Sequence, residues 1–195
     1  MVDKIKKTLS EKVVGIAGAG GLGSNCAVAL ARTGIGRLIV ADYDVIDKTN
    51  LNRQYYFLDQ IGRKKVEALK ENIARISTDT LVEARDITLN PENIPDLFKS
   101  CDVIVEAFDL AEMKTMLIET VLSEMPDKYL VCGNGIAGWG RNDLLHTKRT
   151  GNLFICGDEQ IEATEDIPPL APRVSIVANM QANVVLEILL AEKNQ

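Results

Sequence analysis

The chain has 195 residues and a formal charge of −6, with 46% hydrophobic and 26% charged residues, the usage of a globular fold rather than a disordered or fibrous one. That length suits one domain with a substantial core and leaves little room for a second. The acidic balance argues against nucleic acid as a main partner, because phosphate-binding surfaces show a basic stripe, and no uncharged apolar run is long enough to span a bilayer. Residues 1–7 carry charges with no apolar core behind them, so they do not read as a secretory signal, and the expected compartment is the cytoplasm. Cys26, Cys101, Cys132 and Cys156 form no Cys-x-x-Cys pair and His146 is the single histidine, which excludes a zinc ribbon and speaks against a disulfide framework.

Short apolar runs alternate with helical patterns through the first two thirds of the chain, the signature of successive βαβ units and a mainly parallel, doubly wound α/β sheet. Strands are predicted at 12–17, 37–42, 81–86, 102–107 and 128–132, and helices at 22–33, 64–76, 91–99 and 111–124. Leu38-Ile39-Val40 and Val103-Ile104-Val105 do not alternate, as expected of strands covered on both faces. Beyond a core of about 12–133, Gly133, Gly135, Gly138 and Gly140 predict a loop-rich turn, and 144–146 pairs with 152–155 as a hairpin. Residues 157–172, with Pro168, Pro169 and Pro172, lack periodicity and read as a long surface loop, a length usually functional or disordered. Its acidic run, Asp158, Glu159, Glu162, Glu165 and Asp166, reads as a solvated face. Residues 174–191 read as a largely buried final helix, so that 1–195 form a single unit.

The chemistry starts at Gly18-Ala19-Gly20-Gly21-Leu22-Gly23, which follows a predicted strand and opens a helix. In that context Gly-x-Gly-x-x-Gly marks a Rossmann-like nucleotide turn: the first glycine allows the bend, the second admits phosphate and the third lets helix approach strand. Free amides at the helix start face the phosphates. Asp42, ending the next strand ahead of Tyr43 and Asp44, stands where a carboxylate holds ribose hydroxyls. To this point NAD and ATP are equally well served. A triphosphate that must lose pyrophosphate also needs fixed cations and a metal ion; Arg53 and Lys65 can supply the cations and Asp109 the metal carboxylate. Gly18, Asp42 and Asp109 all fall at or just past the C-terminal ends of predicted strands, the ligand edge of an open α/β sheet.

Gly-x-Gly-Gly-Leu-Gly-Ser, then Asp-x-Asp, Asn-Leu-x-Arg-Gln, a lysine before Val-Glu and an aspartate after an apolar strand resemble the ThiF/MoeB adenylyltransferases, relatives of the ubiquitin-activating enzymes. The resemblance covers about 12–120 and returns at 181–190. Asn-Leu-Asn-Arg-Gln-Tyr, Ile-Cys-Gly-Asp and Leu-Ala-Pro-Arg, without the family's two zinc-binding cysteine pairs, are most similar to the compact ThiF-like proteins of thiamine biosynthesis. The resemblance implies ATP-dependent adenylation of the C-terminal glycine carboxylate of a small β-grasp sulfur carrier of the ThiS type, in a homodimer. It implies that Gly18, Gly20, Gly21 and Gly23 form the phosphate turn and that Asp42, with Asp44 beside it, binds ribose. Asn50, Arg53, Gln54 and Lys65 contact phosphates, and Asp109 organises Mg2+. A general base is unnecessary, because a carboxylate is ionised at pH 7.

Departures accompany the match. Residues 1–11 contain no arginine to stand for the one that reaches a partner's ATP in many members, Glu106 replaces a frequent aspartate and Leu110 a frequent asparagine. Cys156 lies where some relatives use a cysteine to receive the activated carrier or sulfur, but reads here as a small buried hydrophobe. His146 and Trp139 read as structural or surface residues. Two other classes stay open: an NAD-dependent oxidoreductase, which leaves Arg53, Lys65 and Asp109 unexplained, and a non-catalytic nucleotide- or carrier-binding scaffold of the same family. A branch of the family that modifies a tRNA base is disfavoured by the acidic charge.

Overall fold

A computed structural model describes residues 2–161 and 163–191. Among the described residues seven strands form one sheet in the order β3-β2-β1-β4-β5-β7-β6. They are β1 Val13–Ala17, β2 Arg37–Ala41, β3 Leu81–Arg85, β4 Val103–Glu106, β5 Tyr129–Asn134, β6 His146–Thr150 and β7 Leu153–Gly157. Every pairing is parallel except β6 on β7. The helices are α1 Val2–Leu9, α2 Gly21–Thr33, α3 Lys65–Ala74, α4 Ile94–Phe98, α5 Ala111–Glu124 and α6 Ala171–Ala191. From β1 the chain winds outward through β2 and β3, then returns to lay β4 on the other side of β1. That reversal opens a crevice between the C-terminal ends of β1 and β4.

Central strands buried on both faces account for the continuous apolar runs: Val14, Ile16, Val40, Val103 and Val105 pack toward α2, α3 and α6, while Ile39, Ile104 and Leu130 pack toward α4 and α5. Helix α6 is long and apolar enough to cross a membrane by length and composition. It lies against α2, β5 and β7, burying Val174, Val177, Val185 and Leu189. It starts at Ala171, ahead of the predicted 174, because Pro172 sits in the first turn, where its missing N–H has no intrahelical partner to lose.

Two expectations are corrected. The hairpin pairs His146–Thr150 with Leu153–Gly157, not 144–146 with 152–155. Gly151, at φ 60°, supplies the left-handed turn that sets this register. The strand β6 escaped the apolar pattern because it is the sheet edge and shows Thr147, Lys148, Arg149 and Thr150 to solvent. The acidic run is not uniformly solvated either. Asp158 is fully buried and ion-paired with Arg173, Glu159 is held by Lys148 and His146, and Glu162 lies outside the described residues. The segment before the first strand contains α1, whose Leu9 is buried in the core.

Candidate functional site

The turn Gly18–Gly20 leaves β1 with Gly18 at φ 100°, and a Cβ there would lie 2.8 Å from Ala107 O across the crevice. A Cβ on Gly23 would lie 1.9 Å from Gly18 O, so this glycine serves helix-to-turn packing and does not line the cleft. Gly20 differs: the nearest atom to its virtual Cβ is Gln54 Nε2 at 3.7 Å, and the space above it is open. The fingerprint therefore separates into two steric glycines and one that clears room for a ligand.

Asp42 fixes this turn as well as facing the cleft. Its Oδ2 accepts from Ala19 N at 2.7 Å and its Oδ1 from Asp44 N at 2.7 Å, which leaves each oxygen a second lone pair for a hydroxyl donor. The loop from Asp47 to Tyr56 is fastened to the same turn. Ser24 Oγ accepts from Tyr55 N at 2.9 Å, Asn25 Nδ2 donates to Gly21 O and Arg53 O, and the buried Tyr56 hydroxyl donates to Ala19 O at 2.7 Å. Burial, with the charges of Asp42 and Asp44 added, pushes the Tyr56 phenol well above its ordinary range, so it stays a donor.

One hollow of about 110 Å³ brings together Gly18, Gly20, Gly21, Asp42, Asp44, Arg53, Gln54, Lys65 and Asp109, with Tyr43, Ile87, Leu89, Phe108 and Met113 as apolar walls. Lys65 is buried, and its ammonium donates to Asp44 Oδ2 at 2.7 Å. Arg53 is held by Thr49 O and Asn52 Oδ1. Gln54 Oε1 is buried with no hydrogen-bond partner among the described residues, while its Nε2, the donor end, is the atom nearest the open space at Gly20. Asp109 is exposed and has no side-chain hydrogen bond or ion pair among the described residues. Asn50 stands apart from the lining: its side chain accepts from Asp47 N at 2.9 Å, capping the helical turn Lys48–Asn52 reciprocally with Asp47.

A second hollow of about 560 Å³ adjoins the first, sharing Phe108, Asp109, Ile136 and Pro169, and is bounded by Lys114, Gly133, Asn134, Gly135 and the loop at Glu159–Ile161. The loop is held over it by Arg173, which donates to Asp158, to Gly140 O and to Gly135 O. Cys156 does not reach either hollow. It is fully buried in β7, and burial raises its thiol, so it behaves as the small hydrophobe expected. Sequence reasoning missed Tyr43, Ile87, Leu89, Phe108 and Met113, whose apolar side chains look like ordinary core residues until the tertiary structure turns them to the cleft. It also assigned no role to Lys114, Asp158 or Arg173.

A glycine turn at a helix start, a carboxylate closing the neighbouring strand and a crevice at the sheet's switch point define a mononucleotide-type α/β site. The ThiF family profile matches residues 2–195, and the chain belongs to the ThiF family. Adenylyltransferase and sulfurtransferase MOCS3 of Caenorhabditis briggsae is 28% identical over 191 residues, covering 94% of this chain and 47% of that protein. The tRNA threonylcarbamoyladenosine dehydratase of Bacillus subtilis strain 168 is 36% identical over 118 residues, covering 60% of this chain and 46% of that protein. The chain thus spans about half the length of these curated relatives. E. coli tRNA N6-threonylcarbamoyladenosine dehydratase, TcdA, solved with AMP, shares the fold at a TM-score of 0.88 and 20% identity over 98% of this chain and 91% of that one. The same protein solved with ATP gives 0.87 and 21%, over 97% and 90%.

Proposed function

We propose that the chain, acting as one unit, adenylates the C-terminal glycine carboxylate of a small ThiS-like β-grasp sulfur carrier with ATP, forming acyl-adenylate and pyrophosphate for thiamine biosynthesis. The carrying observation is the convergence of Arg53, Lys65 and Asp109, which has no side-chain partner among the described residues, on the same cleft as the Gly18–Gly20 turn and Asp42. A dinucleotide is served by the turn and Asp42 alone, whereas release of pyrophosphate needs the added charges. The carrier carboxylate oxygen attacks the α-phosphorus, the bond to the β-phosphate bridge breaks, and pyrophosphate leaves. In this reading Asp42 holds ribose, Gly20 and Gln54 accommodate phosphate, and Arg53 and Lys65 neutralise the leaving group. The second hollow, which adjoins the first at Phe108, Asp109, Ile136 and Pro169, gives an extended tail its approach.

Mg2+ fits this site. The described residues contain no cluster of three carboxylate, histidine or cysteine ligands, and Mg2+ beside phosphates takes only one or two carboxylates; Asp109 would hold it and the ion would offset phosphate charge. By family resemblance the protein works as a cytoplasmic homodimer.

A second reading replaces the carrier with a carboxylate on a modified tRNA nucleoside, favoured by the B. subtilis relative and opposed by the charge of −6. Labelled pyrophosphate exchange into ATP, measured with Mg2+ and a panel of Gly-Gly-ended carriers or tRNA, separates the possibilities. Carrier-dependent exchange is expected. Exchange with tRNA alone would replace the substrate, tight ATP binding without exchange would indicate a scaffold, and reduction of NAD by a substrate would overturn the adenylation reading.

A further inference from the structure

We infer that the buried Glu106–Lys114 pair is a positioning brace for the reaction, holding the Phe108–Asp109 turn in the wall shared by the two hollows; this rests on the adenylation reading. Glu106 ends β4 with no exposed surface. Its Oε1 accepts from Phe108 N at 2.7 Å, and Lys114 Nζ donates to both oxygens at 3.0 and 2.8 Å. The third Lys114 hydrogen goes to Gly133 O at 2.8 Å, at the end of β5. From the other side of the sheet, Gln181 Nε2 donates to Glu106 O at 2.8 Å and to Val131 O at 3.2 Å. One ion pair therefore ties β4, the start of α5 and the end of β5 at the point where a carboxylate in the second hollow meets a nucleotide in the first.

Stability does not explain the pair. Two well-packed apolar residues in place of a buried ion pair are often neutral or stabilising, because desolvation offsets most of the attraction. What the pair does that apolar side chains cannot is hold two backbone groups, Phe108 N–H and Gly133 C=O, both in residues that border the second hollow. Asp109 has no side-chain partner among the described residues, so its location depends on the backbone that Glu106 fastens. Lys114 is the only cation lining the second hollow among the described residues, and its partners are Glu106 and Gly133 O. With all three of its hydrogens engaged, it acts as a strut rather than a ligand.

The test compares the wild-type protein with Glu106→Met/Lys114→Met, Lys114→Arg and Glu106→Gln, each checked for an unchanged circular dichroism spectrum. The double variant is expected to keep its ATP KM within about threefold and to lose roughly 10²-fold in kcat of carrier-dependent pyrophosphate exchange, the usual cost of about 1 Å of misplacement. Lys114→Arg, which keeps the charge and offers a planar fork of donors to both Glu106 oxygens, is expected to retain most of it. Amide hydrogen exchange in 107–112 is expected to speed up at least about tenfold while 13–33 stays protected. Should the double variant not fold, Glu106→Gln supplies the same readouts. Exchange equal to wild type, parallel loss of kcat and ATP affinity, or unchanged protection in 107–112 would overturn the brace. If wild-type protein exchanges no pyrophosphate with any carrier, the adenylation reading fails; loosening confined to 107–112 would then still support the brace, and its absence would sink it.

Discussion

Gly20 and Gly23 stand three residues apart in one motif and do different work. A methyl on Gly23 would sit 1.9 Å from Gly18 O, and backbone cannot yield as a side-chain tip can. Gly23→Ala is therefore expected to cost about 1–3 kcal/mol of stability, seen as a lower urea midpoint. Gly20→Ala meets nothing within 3.7 Å and should leave that midpoint unchanged while weakening ATP binding in calorimetry. Equal effects of the two on stability would contradict this division. Charge supplies the second prediction at this scale. Asp109→Ala and Arg53→Ala should each lower pyrophosphate exchange by about 10²-fold or more, the loss typical of removing one electrostatic stabiliser, with melting temperature preserved. Unchanged rates would show that the phosphate chemistry is assigned to the wrong residues. Asp109 was legible in the sequence because it lies just past a strand end, and Arg53 because it stands in the Asn-Leu-x-Arg-Gln motif, whereas Lys114 was not, since its partners Glu106 and Gly133 come from two separate strands.

Among the elements, the loop between β7 and α6 depends on one buried contact. Arg173, in the first turn of α6, reaches Asp158, Gly140 O and Gly135 O, joining the glycine-rich turn to the loop that covers the second hollow. Burial by itself would raise the Asp158 carboxyl, but the amides of Gln160 and Ile161 and the Arg173 guanidinium outweigh it and hold the group below its ordinary value. A lowered folded pKa contributes stability that is complete above the unfolded value of about 3.9 and is lost as pH falls toward the folded one. Arg173→Met, which strands a buried carboxylate, should cost about 3–5 kcal/mol near pH 7. The gap from wild type in urea midpoints should shrink as pH drops below about 4. A gap independent of pH would mean that the ion pair is not what fastens the loop. Periodicity could show that 157–172 was a loop, but not that its first acidic residue is buried, because the partner arrives from the far end of the same loop.

At the scale of the molecule, a nucleotide seated at the switch point would border the C-terminal ends of β1, β2 and β4 together with Arg53 and Gln54, so its binding is expected to couple to global unfolding. ATP at about 100 times its Kd should add about 2.7 kcal/mol, a rise of roughly 5–11 °C in melting temperature for a chain of this size. NAD at the same concentration should produce no comparable shift. A larger shift with NAD than with ATP in thermal scanning would return the site to dinucleotide chemistry.

Local pattern by itself determined the alternation of strands and helices, the nucleotide turn and the carboxylates at strand ends, because periodicity, glycine sterics and the spacing of βαβ units are short-range properties. The edge strand β6, the apolar walls of the cleft and the Glu106–Lys114 and Asp158–Arg173 pairs were decided only by the tertiary structure. In each of these a residue's role is set by a partner far away in sequence, and burial, which turns a charge from solvated to structural, exists only once the chain has folded.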